Sequence, residues 1–207
     1  MKIILEKIGQ KFGYSEIFQH IDLMIKPGSH YGILGNNGSG KTTLLKIISG
    51  ILTPTSGKIR WQLGNTGITA DKIFHYLGYA SPHMEIIEEF TLGEALAFHQ
   101  KFRRFVMNYQ VNDLVRISEL KKIHNKPIRL FSSGMKQRVK ILLAVLSENQ
   151  MIILDEPCSN FDEKSIAWYQ RIISKYAGSR TIIVGTNNRV SEAFSCQEFL
   201  DLNTMKQ

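Results

Sequence analysis

The sequence predicts an α/β fold with a mostly parallel central sheet. An apolar run, Tyr31 to Leu34, leads through a glycine-rich turn into a helical pattern at 44–48. Two further apolar runs, 151–154 and 181–184, flank an amphipathic stretch at 163–176. Short apolar runs bounded by turn residues are typical of strands buried on both faces, and strands that alternate with helices are typical of parallel sheets.

The N-terminal part of the chain predicts an antiparallel β subdomain that leads into this sheet. Residues 3–25 alternate apolar and polar positions in short stretches that break at Gly9 and Gly13. Such alternation is typical of half-buried antiparallel strands. After the first helix, which is expected to end at Gly50, residues 58–63 alternate in the manner of an edge strand.

The middle of the chain predicts an inserted α-helical subdomain at approximately 82–138. A buried strand is expected at 73–79, and at 91–126 the pattern becomes helical. Three apolar residues and one histidine of this stretch fall near one helix face: Leu92, Leu96, His99 and Phe102. From Ser132 the chain returns to α/β order, with a second amphipathic helix before the strand at 151–154.

The size and composition predict one substantial core. A chain of 207 residues has room for one α/β core with a smaller inserted lobe, so 1–207 is expected to form a single domain. No apolar run approaches the ~20 residues that cross a bilayer, and Ile3 to Leu5 is too short a run for a secretion signal. We therefore expect a cytoplasmic protein. Cys158 and Cys196 stand apart and the histidines are scattered, which argues against a disulfide framework or a zinc site.

The net charge of +8 does not by itself select a partner. Basic residues cluster at 101–104 and 121–129, and such clusters could meet nucleic acid, an anionic membrane surface or nucleotide phosphates. The clusters lack interleaved aromatic residues and any known nucleic-acid reader motif. A solvated surface is therefore the favoured interpretation, and a nucleic-acid partner is not expected.

The strongest chemical signal is the glycine-rich loop after Leu34. The segment Gly35-Asn36-Asn37-Gly38-Ser39-Gly40-Lys41-Thr42, followed by Thr43, has the fixed positions of a phosphate-binding loop. Glycines let backbone N–H groups turn inward, and the N-terminus of the following helix favours an anion. Lys41 is expected to reach the β- and γ-phosphates of a nucleoside triphosphate, and Thr42 to hold Mg²⁺.

Two adjacent acids, Asp155 and Glu156, follow the apolar strand at 151–154. The carboxyl end of a parallel strand lies beside the phosphate loop in folds of this class. Asp155 is expected to hold Mg²⁺, directly or through water. Because a strand turns successive side chains to opposite sides, Glu156 would be free to orient and polarise the attacking water.

A third motif lies between these two, at 131–138. It reads Phe-Ser-Ser-Gly-Met-Lys-Gln-Arg and opens the second amphipathic helix. In this order the three motifs resemble those of the ATP-binding cassette (ABC) transporter ATPases, whose core is that of the P-loop NTPases. The resemblance covers nearly the whole chain. It implies that Ser132 and Gly134 grip the γ-phosphate of ATP bound to the opposing subunit of a dimer.

The resemblance also implies roles for residues that would be unremarkable alone. Phe12, or else Tyr14, would stack on the adenine as the early aromatic residue of the family does. The stretch 159–162 resembles the loop that touches the partner across the dimer, with Asp162 as its acidic residue. A lone aromatic or aspartate in a turn is more often structural.

Three positions depart from the family pattern. Asn187 stands where a histidine normally contacts the γ-phosphate, and an amide cannot become an imidazolium. In the 131–138 motif, Ser133 and Met135 replace the usual Gly and Gln. The loop that usually carries a Gln to the metal and water has Pro82 nearest to that position, and His83 or Ser81 would be its substitute. We expect activity to persist because the metal-binding, phosphate-neutralising and water-orienting residues are retained.

The function implied by the resemblance is that of the ATP-binding and ATP-hydrolysing subunit of an ABC transporter. Its cofactors would be ATP and Mg²⁺, and its partners a second ABC subunit, in a homodimer or heterodimer, and separate transmembrane subunits. It would be peripheral on the inner face of the membrane. Single-cassette chains of this length resemble exporter ATPases, including the haem-exporter type. A weakly hydrolysing regulatory subunit and a non-transport ABC ATPase on nucleic acid or ribosomes are the alternatives.

The membrane partner is expected to dock near 78–90 and the inserted helices. An apolar groove could form there from four side chains: Met84, Ile86, Ile87 and Phe90. Packing of the same residues into the core is the stronger interpretation for each of them.

Overall fold

Over residues 1–187 and 190–204, the part of the chain that the computed structural model describes, nine strands and five α-helices form a two-sheet α/β fold. The strands are β1 (Lys2–Phe12), β2 (Ser15–Ile25), β3 (His30–Leu34), β4 (Ser56–Leu63), β5 (Thr66–Ile68), β6 (Leu77–Ala80), β7 (Met151–Asp155), β8 (Thr181–Thr186) and β9 (Glu198–Asp201). The helices are α1 (Lys41–Ile48), α2 (Leu92–Gln100), α3 (Val111–Ser118), α4 (Ser133–Leu146) and α5 (Glu163–Tyr176).

The central sheet is parallel, in the order β6-β7-β8-β3-β9. This confirms the predicted α/β class. The apolar runs that predicted buried strands are buried throughout, since every residue of β7 and of β8 is shielded from solvent. Side chains of β7 alternate between two hydrophobic clusters: Ile152 and Leu154 face the helices α2 to α5, whereas Met151 and Ile153 face α1 and the second sheet.

The second sheet is antiparallel, in the order β2-β1-β4-β5. The predicted antiparallel N-terminal strands are therefore confirmed. The prediction of an edge strand at 58–63 was wrong, because β4 lies between β1 and β5. The true edge, β5, has only three residues, one of them Gly67, and so short a segment carries little alternating signal.

The predicted strand at 73–79 was also wrong in its first half. Residues Ile73–His75 form a 3₁₀ turn, and the strand β6 begins only at Leu77. Ile73 is buried while Phe74 is exposed, and the backbone bonds of the turn run from His75 N to Lys72 O and from Tyr76 N to Ile73 O. Apolar composition alone could not separate a tight turn from a strand here.

The helical stretch at 91–126 contains two short α-helices rather than one continuous helix. Thr91 and Glu94 form a capping box that starts α2, and the helix ends at Gln100. Leu92 and Leu96 are buried as predicted, but Phe102 is 77% exposed. Phe102 follows the end of α2, so the helical spacing that placed it on the buried face no longer applies. Within the described residues, no helix has the length and apolar character needed to cross a membrane.

The backbone of α4 packs closely against β6 at Gly78. A Cβ added at Gly78 would lie 2.2 Å from the carbonyl oxygen of Ala144, whereas one added at Gly93 in α2 meets nothing within 4 Å. We expect Gly78→Ala to lower the free energy of unfolding by about 2–3 kcal/mol, because neither backbone can yield cheaply. Gly93→Ala is the matched control and should raise it by up to ~1 kcal/mol. Urea unfolding midpoints measure both, and equal midpoints for the two variants would contradict this packing.

Candidate nucleotide-binding site

The loop Gly35–Thr42 joins β3 to α1 and has a shape that requires glycine. Gly38 and Gly40 have φ of 76° and 102°, a region that other residues rarely adopt. A Cβ at Gly40 would lie 2.7 Å from the Cγ2 of Ile17 in β2. Glycine therefore allows the antiparallel sheet to pack directly against the loop.

The start of α1 has the properties of an anion site. Its N-cap residue, Gly40, supplies no side-chain hydrogen bond, and the first turn contains no acidic residue. The first N–H groups of a helix lack intrahelical partners and carry partial positive charge. Ser39 contributes a buried hydroxyl that has no hydrogen-bond partner among the described residues. The amides at 41–43 are thus available to phosphate oxygens.

Lys41 is held at the centre of this loop. Its side chain is buried, and Nζ donates to the carbonyl oxygens of Gly35 at 2.8 Å and Asn36 at 3.1 Å. Nζ also donates to Oδ1 of Asn187 and lies 3.5 Å from Oε1 of Glu156. A buried ammonium with polar partners is a positive charge fixed in place for phosphates.

Asp155 and Thr42 form a pair that fits a divalent cation. Thr42 Oγ1 donates to Asp155 Oδ2 at 2.6 Å, while Oδ1 of Asp155 is buried and has no partner within the described part of the chain. Burial is the main cause that raises the pKa of Asp155, and the hydrogen bond from Thr42 acts in the opposite direction. A buried carboxylate oxygen left unpaired beside a hydroxyl is what a Mg²⁺ ligand set would leave when the ion is taken away.

This ligand set suits Mg²⁺ shared with phosphates better than a metal held by protein alone. Across residues 1–187 and 190–204, no group of three or more His, Cys, Asp or Glu side chains could hold a metal ion. Mg²⁺ is usually bound by one or two protein oxygens together with waters and substrate phosphates. Thr42 and Asp155 supply that number.

Glu156 differs from its neighbour in environment. Its backbone has φ of 43°, and its N–H donates to the carbonyl oxygen of Gly185 at 2.8 Å. This conformation turns the carboxylate out of the sheet, where it is 32% exposed and faces Lys41. A carboxylate that is open to solvent beside a phosphate site can accept a proton from water.

Asn187 lies at the phosphate loop, as the sequence predicted. Its amide group bridges two loop residues, since Oδ1 accepts from Lys41 and Nδ2 donates to Oδ1 of Asn37 at 2.6 Å. This bridge was not predicted from the sequence. The structure brings Lys41, Thr42, Asp155, Glu156 and Asn187 together, and their chemical roles stay predictions.

The helix α4 starts within the 131–138 motif, as the sequence predicted, and the structure adds that Ser132 is its N-cap residue. Ser132 Oγ accepts from the N–H of Met135 at 3.3 Å, and the sulfur of Met135 closes the capping box. Gly134 is required by packing, because a Cβ there would lie 2.9 Å from the carbonyl oxygen of Asn160. Ser132 is exposed and so remains accessible to a second subunit.

The remaining predicted residues are placed as follows. Phe12 ends β1 and is 52% exposed, and the packing of Ile17 against Gly40 holds this hairpin beside the phosphate loop. Tyr14 is fully exposed in the turn. Asp162 accepts a hydrogen bond from the N–H of Ser165 at 2.8 Å and caps α5. This cap explains an aspartate at position 162 without a role in contacting a second subunit.

The turn that follows β6 is held by Lys140, a residue that was not predicted from the sequence. Ser81 is buried, and its Oγ accepts from the N–H of His83 at 3.3 Å. His83 is exposed, and its charge lowers the pKa of Asp155 as one of the smaller contributions. Lys140 of α4 donates to the carbonyl oxygens of Ser81 and Pro82. A lysine among the buried positions of an amphipathic helix was the signal that could have identified it.

Comparison with known proteins identifies the family of this chain. The family model described as ABC transporter matches residues 18–159. The chain belongs to this family. Among curated ABC relatives, the uncharacterized ATP-binding protein YcbN of Bacillus subtilis (strain 168) is 33% identical over 172 residues, 81% of this chain and 56% of YcbN. The sulfate/thiosulfate import ATP-binding protein CysA of Mesostigma viride is 31% identical over 99% of this chain and 60% of its own length.

The chain therefore spans little more than half the length of these two ABC relatives. The cytochrome c biogenesis ATP-binding export protein CcmA of Brucella abortus (strain 2308) is 27% identical over 91% of this chain and 86% of CcmA. The ABC fold is shown by solved structures. The dimeric cassette MJ0796 bound to ADP and Pi superposes with a TM-score of 0.80, 21% identity, and coverage of 96% of this chain and 93% of its own.

Proposed function

We propose that this chain binds and hydrolyses ATP as the nucleotide-binding subunit of an ABC transporter. Residues 1–207 would form a single nucleotide-binding domain, with 82–138 as its inserted helical subdomain. The observation that carries the proposal is the Thr42–Asp155 pair, whose free carboxylate oxygen lies in a site that also holds the buried ammonium of Lys41. Membership of the family supports the same conclusion.

The site residues divide the chemistry among them. The amides at the start of α1 and the ammonium of Lys41 neutralise the β- and γ-phosphates. Thr42 and Asp155 would hold Mg²⁺, which would supply positive charge against the negative charge that develops on the phosphate oxygens. Glu156 orients the attacking water and accepts its proton. Asn187 positions Lys41 through its amide oxygen, and Phe12 offers a ring to the adenine.

A second subunit completes the site in this proposal. Ser132 and Gly134 lie at the exposed start of α4, where they would meet ATP held by the opposing cassette. The described MJ0796 structure is a dimer, which supports pairing of this kind. A homodimer and a heterodimer with another ABC subunit are both compatible with the chain.

The membrane partner would dock on the segment 84–90 and on the adjoining end of α2. Ile86 packs against the core, as the alternative interpretation had it, but Met84 and Ile87 are 39% and 45% exposed. The ring of Phe90 meets that of Phe98 edge-on at 5.6 Å, and Phe98 meets Phe102 at 5.1 Å. An exposed apolar surface of this kind is suited to a partner, and the relatives named for import and export support a membrane partner.

Charge reversal in this segment should separate coupling from hydrolysis. Glu89 is exposed and is not among the residues assigned to the nucleotide site, so Glu89→Lys should leave basal ATP hydrolysis within about 2-fold of wild type. With the membrane subunits present, transport should fall about tenfold or more, because a reversed charge opposes the original docking complementarity. Glu16→Lys on β2 is the matched control. Equal loss of hydrolysis and transport in Glu89→Lys would count against this docking surface.

Phosphate release from Mg-ATP by the purified chain, measured together with ATP binding by calorimetry, tests the proposed function. Binding with turnover above background supports it. Binding without turnover, even with the partners present, would favour the weakly hydrolysing regulatory alternative, for which Asn187 in place of a histidine is the supporting observation. Absence of ATP binding would overturn both.

A further inference from the structure

Lys140 is an unusual residue within the buried face of α4. Its neighbours Val139, Ile141 and Leu142 are fully buried, and Lys140 itself is only 8% exposed. Burial is the main cause that lowers its pKa, and the nearby charge of Lys136 adds to this effect. A buried ammonium is costly unless its N–H groups are hydrogen-bonded. The position therefore depends on its partners.

Those partners are consecutive carbonyl oxygens of the turn that follows β6. Lys140 Nζ donates to Ser81 O at 3.1 Å and to Pro82 O at 2.6 Å. Ser81 O also accepts from the N–H of Met84 at 3.2 Å. Pro82 has no N–H, so the Ser81–Pro82 peptide can accept a hydrogen bond but cannot donate one. Lys140 donates to the carbonyl oxygen of that peptide and to that of the next one.

The turn at 81–84 borders the nucleotide site. In the parallel pair β6–β7, Ala80 lies opposite Leu154, so the chain leaves the sheet level with Asp155. A shift of this turn would therefore occur beside the residue proposed to hold Mg²⁺.

The same helix carries two other attachments to this part of the chain. Gly78 in β6 allows the backbone of α4 to approach at Ala144, as described above. One turn of helix before Lys140, Lys136 Nζ pairs with Oε1 of Glu88 at 2.6 Å. Gly78, Lys140 and Lys136 thus attach α4 to the strand, the turn and the segment beyond it, in that order. The far end of α4 is Ser132, the residue proposed to meet ATP across the dimer.

We propose that Lys140 is a positioning residue of the hydrolysis cycle, which ties the turn at 81–84 to the helix that begins at Ser132. When the start of α4 moves on contact with ATP of the opposing subunit, the turn beside Asp155 then moves with it. This inference rests on the proposed function. In this proposal Lys140 fixes the position of the turn at 81–84. Pro82, in that turn, has no side chain able to reach the metal or water.

The test compares Lys140→Met, which keeps the apolar stem and removes the donors, with Lys140→Arg, which keeps charged N–H donors. Hydrogen exchange of the nucleotide-free protein, read on peptides covering 80–90, should be at least about tenfold faster in Lys140→Met. In the same variant kcat for ATP should fall about tenfold with KM within about 2-fold, because a positioning contact rather than a ligand contact is lost. Lys140→Arg should recover most of both changes. Lys164→Met, exposed on α5, is the matched control.

Each outcome decides the proposal. Fast exchange and reduced kcat in Lys140→Met, recovered in Lys140→Arg, support it. Wild-type exchange and wild-type kcat in Lys140→Met would overturn it, and so would a loss of kcat that Lys140→Arg does not recover. If Lys140→Met does not fold, Lys140→Gln takes its place with the same expected result, since its polar end tolerates burial better. Failure of the wild-type chain to bind ATP would instead refute the proposed function, which the exchange measurement does not require.

Discussion

Replacing Glu156 by Gln is expected to lower phosphate release from ATP by about 10³-fold, the loss typical when a general base is removed. The variant keeps the size of the side chain but cannot accept the proton of the attacking water. Lys41 retains its bonds to Gly35 O and Asn36 O, and Thr42 retains its bond to Asp155. ATP binding should therefore persist. Steady-state phosphate release and calorimetric titration with ATP measure the two effects separately.

The control for this variant is Glu148→Gln. Glu148 is exposed just beyond the C-terminal end of α4 and is not among the residues assigned to the site, so its replacement should leave turnover unchanged. Retention of more than a tenth of wild-type turnover in Glu156→Gln would show that another group activates the water. Loss of ATP binding together with turnover would show that Glu156 organises the site rather than the chemistry.

Replacing Lys41 by Met is expected to weaken ATP binding by about 10- to 100-fold, because charge-assisted hydrogen bonds contribute roughly 1.5–3 kcal/mol each. Met fills the space of the buried stem but offers neither charge nor donor to the phosphates. The change also removes the cation that faces Glu156 and the donor to Asn187. Calorimetric titration with Mg-ATP measures the affinity.

Lys46→Met is the matched control, since Lys46 lies on the same helix and is exposed. Its ATP affinity should equal that of the wild type. Circular dichroism melting of both variants separates a loss of affinity from a loss of fold. An unchanged ATP affinity in a folded Lys41→Met protein would mean that the phosphates lie elsewhere.

The fold class could be predicted from the sequence because its signals are local and reinforce one another. The runs that became β7 and β8 are apolar in all or nearly all positions, and their short length between turn residues favours strands buried on both faces. The helix α5 has its predicted bounds, since its N-cap and its apolar spacing fall at the same residues.

The errors occurred where tertiary contacts override local pattern. Residues 73–75 are apolar enough for a strand, yet they form a turn. At this turn the guanidinium of Arg103 donates hydrogen bonds to the carbonyl oxygens of Phe74 and Leu77. Phe102 has helical spacing, but α2 ends before it is reached. The edge position of β4 depended on β5, whose three residues could not be recognised beforehand.

In the candidate site, too, the residues that follow from local sequence pattern were predicted and the long-range contacts were not. The loop residues and the two acids follow from fixed spacing, which the chain retains. The bridge made by Asn187 between Lys41 and Asn37, and the bonds from Lys140 to the turn at 81–84, join residues more than 50 positions apart in sequence. The lysine among the buried positions of α4 could have drawn attention to Lys140, but no local pattern identifies the partners of these bonds.

Homodimerisation, one of the two forms of pairing that the proposed function allows, can be measured as the mass of the Glu156→Gln variant in solution. Light scattering is measured without nucleotide and with Mg-ATP, after ATP binding has been confirmed by calorimetry. If two copies close around ATP, the variant should be a monomer of 23.6 kDa without nucleotide and have twice that mass with Mg-ATP, because hydrolysis can no longer reopen the closed pair. A chain that stays monomeric with ATP bound would contradict closure between two copies.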